Sequence, residues 1–394
     1  MGKEPKAFVD PNKRYKGWTL REKLDEGGFG IVYKVTKDSQ VAAFKAESNS
    51  VEGGSAIKLE LNILMILNKK FPDTPHFPYL YHAAKRKQFS YMIVTLLGKN
   101  IRNLKSWKKG SKTLKPETWA RIGLQALYCI KLVHDAGFLH RDIKPANFMM
   151  GRDDDPERAR LVHILDFGLA RGYIKHVGDK IVARRARAHA EFRGTVRYCS
   201  PNVHFSLEQS RRDDLWSLLY MMIELHCGLP WQTVSDKGMI EKMKMISDDS
   251  LVSPLPEEIR PMVKHLRKLD VYSRPDYNLV ANMFKKLCKR LNVNFATPYD
   301  WEYDNPTTFN LGEKLYKLND RNIMYENSEA FFCADPIKIS GPPPKGFSDE
   351  RLPTDEERTI YNPPSVEGKV SDEQEKSQYT TTTATGTSAT SPGK

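Results

Sequence analysis

His140-Arg141-Asp142-Ile143-Lys144-Pro145-Ala146-Asn147, followed downstream by Leu165-Asp166-Phe167-Gly168, is the stretch on which the reading of this chain turns. Taken singly, the first part fits a surface turn and the second a strand-to-loop bend. Taken together and in this order, behind a Gly-rich break and a strand lysine, they form one constellation of charged and amide side chains. The break is Leu24-Asp25-Glu26-Gly27-Gly28-Phe29-Gly30-Ile31-Val32-Tyr33. By itself it fits a plain hairpin, and its chemical promise is a backbone that approaches phosphates closely and offers them N–H groups. Lys45 follows in Ala42-Ala43-Phe44-Lys45, where apolar neighbours aim its ammonium inward and an unpaired charge would be costly. Glu60 is its nearest candidate partner, although alone it also reads as a solvated helix carboxylate.

Working outward, WTLREKL, IVYKV, VAAFKAE and FSYMIVTLL read as β segments around a single helix in SAIKLELNILMILNKK. In that helix Ile57, Leu61, Leu64, Ile66 and Leu67 recur at helical spacing, with Glu60 on the face they border. Pro116 suits a helix first turn, and Trp119, Ile122, Ala126, Ile130 and Val133 carry that helix to Asp135-Ala136-Gly137. LWSLLYMMIELHCGLPW is apolar on nearly every side, which predicts a helix at the centre of the second unit. Further helices are expected at 237–247, 256–269 and 276–291. The fold class is therefore α+β, a small β-rich lobe before a larger helical lobe with a cleft between them.

The chain has 394 residues, 40% of them hydrophobic and 10% aromatic, which suits one large catalytic fold with extensions, or two domains, and excludes wholesale disorder. Its formal charge is +13, and residues 338–394 carry a net −2, so the positive field belongs to the folded part and favours anionic partners or simply solubilises the surface. No recognised nucleic-acid motif accompanies the charge, so no nucleic-acid partner is expected. Five scattered cysteines without a C-x-x-C pair indicate neither a disulfide framework nor a zinc site. The expected home is a reducing compartment, cytoplasmic or also nuclear, without a membrane anchor, and as a monomer.

The spacing of the two quoted stretches matches the catalytic loop and metal-binding triplet of protein kinases. Glu208-Gln209-Ser210-Arg211-Arg212-Asp213-Asp214-Leu215-Trp216-Ser217, with Ser200-Pro201-Asn202 replacing the usual A-P-E, resembles the casein kinase 1 superfamily. Asp166-Phe167-Gly168-Leu169-Ala170-Arg171 and Phe192-Arg193-Gly194-Thr195-Val196-Arg197-Tyr198 are most similar to its tau-tubulin kinase branch. The resemblance covers residues 15 to 295 and implies a bilobal protein-kinase fold with ATP and Mg²⁺ as cofactors. The implied domains are an N-terminal extension (1–17), a kinase domain (18–295, lobes 18–97 and 98–295), a C-terminal extension (296–337) and a disordered Pro/Ser/Thr-rich tail (338–394).

In that reading Asp142 accepts the hydroxyl proton or orients the nucleophile, and Lys144 sets a positive charge where the phosphoryl group passes. Asp166 and Asn147 are the hard-oxygen ligands of Mg²⁺. Lys45, held by Glu60, binds the α- and β-phosphates under Leu24, Gly27, Gly28, Phe29, Gly30 and Val32. The adenine meets the backbone at Thr95 and Leu97 behind Val94 as gatekeeper, and Asp214 anchors the catalytic loop from the buried helix. Lys144 together with Thr195 implies transfer to Ser and Thr, and Arg197 with Lys242 implies an anion site for acidic or phosphorylated protein substrates.

Three departures qualify the resemblance. Asp25 stands where the phosphate loop has its first glycine. Asn202 leaves Arg274 without the glutamate that many kinases give it. Between Gly168 and Thr195 there is no Ser or Thr, so activity is expected without phosphorylation of a Ser or Thr in that loop. Ser377, Thr380 and Thr383, and Thr385, Ser388 and Ser391, are spaced by three, which suggests an autophosphorylated tail that docks on the basic domain and inhibits it.

Overall fold

Antiparallel pairing makes a sheet of the first lobe, with burial alternating along residues 41–46. In the computed structural model, Arg14–Tyr15 (β1), Trp18–Gly27 (β2), Gly30–Lys37 (β3), Gln40–Ser48 (β4), Leu80–Lys85 (β5) and Phe89–Thr95 (β6) lie in the order β1-β2-β3-β4-β6-β5, every neighbour antiparallel. The structure describes residues 9–10, 13–27, 30–50, 55–106, 112–155, 157–293, 297–302 and 328–344. Gly28, Phe29 and the Ser/Thr series of the tail lie outside the described residues. Ala42, Phe44 and Ala46 face one side of β4 and pack with Trp18, Leu20, Val35 and Tyr91. The intervening Lys45 and Glu47 therefore face the other side.

The sheet begins earlier than the boundary expected at residue 18. Tyr15 pairs with Trp18, and its ring lies 4.8 Å from Phe44 and 5.3 Å from Tyr91, so aromatic burial draws β1 into the lobe.

One helix, Ala56–Lys70 (α1), crosses the other side of the sheet, capped by Ser55 accepting from the Lys58 amide. Its buried residues are Ile57, Glu60, Ile63, Leu64 and Leu67, which puts Glu60 in the middle of the packed face. Ile66, expected on that face, is 43% exposed. At 3.6 residues per turn it falls opposite Ile57, and Ile63 takes its place in the core.

The second lobe is helical and is built on two buried rods. Ile101–Lys105 (α2) precedes Pro116–Asp135 (α3), whose residues from Thr118 to Asp135 are all buried. Short strands follow: Phe138–Leu139 (β7), Phe148–Met150 (β8), Val162–Ile164 (β9), Arg171–Gly172 (β10), Ile174–Val177 (β11) and Lys180–Ala183 (β12). They pair antiparallel as β7 with β10, β8 with β9, and β11 with β12. After Pro201–His204 (α4) comes Arg211–His226 (α5), buried along nearly its whole length as its all-round apolarity predicts, with Trp119 Nε1 of α3 donating to its Met222 carbonyl at 2.7 Å. Lys237–Met243 (α6), Asp248–Val252 (α7), Pro261–Arg267 (α8) and Tyr277–Arg290 (α9) complete the lobe. The helices expected at 237–247 and 256–269 are thus shorter, and α7 intervenes. The expected bilobal α+β arrangement is present.

What was expected to be an extension after residue 295 contributes to the core. Tyr299 is buried beneath Arg121, whose guanidinium lies 4.0 Å from the ring centroid, and Thr118 and Arg160 bind Asp300 and Glu302 at 2.7 and 3.0 Å. Glu329–Cys333 (α10) sets Phe332 into the same core. Arg274 finds its partners here: it donates to the Ala334 carbonyl at 2.7 Å and lies 3.7 Å from Asp335. Residues 338–340, expected within the disordered tail, are hydrogen-bonded to β12 through Ser340. The apolar pair Ile337 and Ile339 around Lys338 is the local reason, since alternation of this kind suits a strand edge.

If β1 belongs to the lobe, Tyr15→Ala lowers the unfolding free energy by about 3 kcal/mol, in the range for truncating a buried aromatic. An unchanged denaturant midpoint would mean that the lobe starts at β2.

Candidate active site

Lys45 and Glu60 come together from adjacent elements, β4 and α1. Their charged atoms are 2.5 Å apart, and Asp166 Oδ1 lies 4.0 Å from the same ammonium. Burial opposes the Lys45 charge, but Glu60, Asp166 and Glu47 more than offset it, and its pKa stands above the ordinary value. Sequence reasoning missed Glu47. It is buried and accepts from the Ile57 amide at 3.1 Å, tying β4 to the first turn of α1, and its position two residues after Lys45 was the available signal.

Asp166 and Arg141 both have left-handed backbones, with φ of 65° and 66°. For residues with a Cβ this conformation is strained and persists only where the surroundings enforce it. At Arg141 the enforcement is visible. Asp214, in the first turn of α5, accepts from the His140 and Arg141 amides, each at 2.8 Å, and from His134 Nε2 at 2.9 Å. Burial lowers the His134 pKa, so its ring is neutral, donating from Nε2 while Nδ1 accepts from Tyr277 at 2.7 Å. Burial also works against the Asp214 carboxylate, yet these donors hold its pKa below the ordinary value. Arg141 further donates to the Leu169 carbonyl at 2.7 Å, linking the loop to the residues after Asp166.

Asp142, Lys144, Asn147 and Thr195 form one cluster. Lys144 Nζ donates to Asp142 Oδ2 at 2.6 Å, Thr195 Oγ1 donates to Oδ1 at 2.7 Å, and Lys144 lies 3.3 Å from Thr195 Oγ1. Asn147 spends its amide nitrogen on the Asp142 carbonyl at 2.8 Å, which turns its oxygen elsewhere. Thr195 can approach because Gly194 precedes it: φ there is 109°, and a Cβ would sit 2.6 Å from the Arg141 carbonyl oxygen. Phe167 is buried against Phe77 and His140, with ring centroids 6.3 and 5.4 Å away.

The remaining expected positions line up along the sheet. Leu24 and Gly27 lie on β2, Gly30 and Val32 on β3. Gly30 has φ of 111°, and a Cβ there would collide with the Ala46 carbonyl, so glycine is required. Asp25 is exposed, and one of its oxygens accepts from the Glu26 amide at 2.9 Å. Thr95 and Leu97 are buried at the end of β6. The Thr95 amide donates to the Tyr79 carbonyl at 3.0 Å, so that N–H is already occupied.

The basic stretch from Arg171 to Arg197 is less free than its charge suggested. Arg187 forms a fork with Glu208 at 2.6 and 2.9 Å, and Arg171 lies 3.9 Å from the same carboxylate. Arg197 donates to the Gln232 carbonyl at 2.8 Å and lies 3.7 Å from Glu224. Lys242 is exposed on α6, while Lys244, which sequence reasoning passed over, is buried. Lys244 Nζ donates to the Val196 and Cys199 carbonyls at 2.6 and 2.7 Å and to His204 at 3.2 Å, so it fastens the backbone on either side of Arg197 to α6. Burial pushes its pKa down to about 8, and burial likewise pushes His204 down to about 3, leaving that ring free to accept.

The protein kinase domain profile matches residues 18–290, and the chain belongs to the protein kinase family. Among its relatives, a Caenorhabditis elegans protein named putative serine/threonine-protein kinase is 40% identical over 85% of this chain and 95% of its own length. Another from that organism, named inactive tau-tubulin kinase, is 37% identical over 72% of this chain and 97% of its own. A probable serine/threonine-protein kinase of Dictyostelium discoideum is 34% identical over 72% of this chain and 56% of its own. Among the described residues no helix is long and apolar enough to cross a membrane.

Lys244 generates a pH prediction. Its folded pKa is lowered, so the cost of its buried charge is present below about pH 8 and is relieved as pH rises toward the unfolded value. Urea midpoints should therefore show wild type gaining stability relative to Lys244→Met between about pH 8 and pH 10. A constant difference across that range would contradict the assignment.

Proposed function

We propose that this protein is an active serine/threonine kinase that transfers the γ-phosphoryl group of ATP to Ser and Thr hydroxyls of proteins. The observation that carries the proposal is the intact triad of Lys45, Asp142 and Asp166, with Lys45 already closed on Glu60 at 2.5 Å. In this reading Lys45 holds the α- and β-phosphates, and Gly27 and Gly30 with Leu24 and Val32 cover them. The Thr95 carbonyl and the Leu97 backbone hold the adenine. Asp166 and the free-facing oxygen of Asn147 are hard donors that suit Mg²⁺, which when bound neutralises phosphate charge.

Asp142 then orients the acceptor hydroxyl and takes its proton. Thr195 and Lys144 fix the two carboxylate oxygens so that the group needs little reorganisation on reaction. Lys144 also sets a cation beside the line of transfer. The loop needs no phosphate to be ordered, because Glu208 supplies the anion that gathers Arg171 and Arg187 near Arg141.

Within the family we assign the chain to the casein kinase 1 superfamily and its tau-tubulin branch, on the motifs at 166–171, 192–198 and 208–217. The catalytic unit starts at β1 and takes in Tyr299 and Phe332 of the core, with Arg197 and Lys242 offered to acidic or phosphorylated substrates. A reducing compartment, cytoplasmic or nuclear, fits the five free cysteines, and the chain is proposed to act as a monomer. A second reading, a kinase-fold scaffold with weak catalysis, is favoured by Asp25 in the phosphate loop and by the relative named inactive.

Transfer from labelled ATP and Mg²⁺ to acidic peptides tests the assignment. Asp142→Asn lowers turnover by orders of magnitude with nucleotide affinity nearly kept, whereas Asp166→Asn also removes metal-dependent nucleotide binding. Full activity of the Asp166 variant would sink the assignment. In the same assay Arg197→Ala lowers the preference for pre-phosphorylated over plain peptide, and an unchanged ratio would exclude Arg197 from substrate selection.

A further inference from the structure

We infer that residues 328–340, beyond the stretch matched by the family profile, are a positioning strap for the segment that carries the acceptor-side machinery from Arg171 to Thr195. The strap has an anchor and a working end. At the anchor, Phe332 is fully buried, and Phe331 stacks on Tyr128 of α3 with centroids 4.0 Å apart and Lys131 Nζ 4.4 Å from the ring centroid. Arg274, just before α9, binds the carbonyls that follow: Phe332 at 3.3 Å, Cys333 at 3.4 Å and Ala334 at 2.7 Å. Ile337 is buried beyond it.

At the working end, the Ser340 amide donates to the Ile181 carbonyl at 2.7 Å, and Ile339 bridges Ile181 in parallel. The strap thus meets the edge of the hairpin of β11 and β12 through a single-residue parallel bridge and one backbone hydrogen bond. That hairpin has only four residues in each strand and would be marginal by itself. Its base is tied down separately, by Tyr173 OH to the His134 carbonyl at 2.8 Å and by the Ala186 amide to Tyr272 OH at 3.0 Å. Ile339 also lines a small cavity with Arg171, Glu208 and Tyr272, so the strap's side chain closes the wall beside the Glu208 cluster. From there the chain runs through Arg187 to Thr195, the hydroxyl on Asp142. Order in the strap is therefore order in the segment that shapes protein-substrate binding.

Hydrogen exchange on the full chain tests this without depending on activity. Ser340→Pro removes the donor N–H, whereas Ser340→Ala keeps it, and Arg274→Gln loosens the anchor. The expected result is exchange about fivefold faster across 174–183 in Ser340→Pro, the scale of one lost net hydrogen bond, with α5 unchanged and Ser340→Ala like wild type. Arg274→Gln moves the same peptides in the same direction. Wild-type exchange across 174–183 in both Ser340→Pro and Arg274→Gln would overturn the inference. The activity arm rests on the proposed kinase reaction: KM for peptide rises in Ser340→Pro while KM for ATP stays. Altered exchange in an enzyme with no phosphoryl transfer would sustain the strap and refute the reaction. Altered exchange with an unchanged peptide KM in an active enzyme would overturn the positioning role.

Discussion

The buried carboxylate of Asp214 is the constraint on which the rest depends. A charge taken out of water is tolerated only when its lone pairs are filled, and here two successive backbone amides and a neutral histidine fill them. Its place in the first turn of α5 adds the favourable end of the helix dipole. In return the carboxylate fixes the backbone at His140 and Arg141, including the left-handed turn that presents Asp142 to the cleft. Because α5 is buried nearly throughout, the catalytic loop is tied to a rod at the centre of the larger lobe.

The smaller lobe contributes one charge, and it does so through alternation. With Phe44 and Ala46 committed to the outer aromatic cluster, Lys45 has to face α1, where Glu60 lies in the middle of the packed face. The pair spans two elements and reaches Asp166 across the cleft. The two lobes therefore meet at a carboxylate from one and an ammonium from the other, where the proposed reaction requires its phosphates.

Much of this was legible in the residues. The identity and order of Lys45, Glu60, Asp142, Asn147 and Asp166 are local in sequence, and the all-round apolarity of α5 announced its burial. The misplacements came from interactions made at long sequence separation. β1 exists because Tyr15 finds Phe44 and Tyr91, and nothing in Arg14-Tyr15 alone demands a strand. Lys244 reads as one more lysine of a basic helix until the carbonyls of Val196 and Cys199 surround it. Residues 328–340 carry no periodic pattern that announces a packed element, and their role emerges only when Arg274 and Ile181 are brought beside them. Glu208 was read as part of a family signature, whereas its physical work is to collect arginines beside the catalytic loop.

The central claim is that this arrangement transfers phosphate rather than merely holding nucleotide. Rapid-quench single turnover of freshly purified, phosphatase-treated enzyme with Mg²⁺, labelled ATP and a serine-containing acidic protein, followed by phosphoamino-acid analysis, tests it most directly. An active kinase forms phosphoserine saturably without any upstream kinase. Saturable, Mg²⁺-dependent ATP binding with no phosphoserine formed would contradict it.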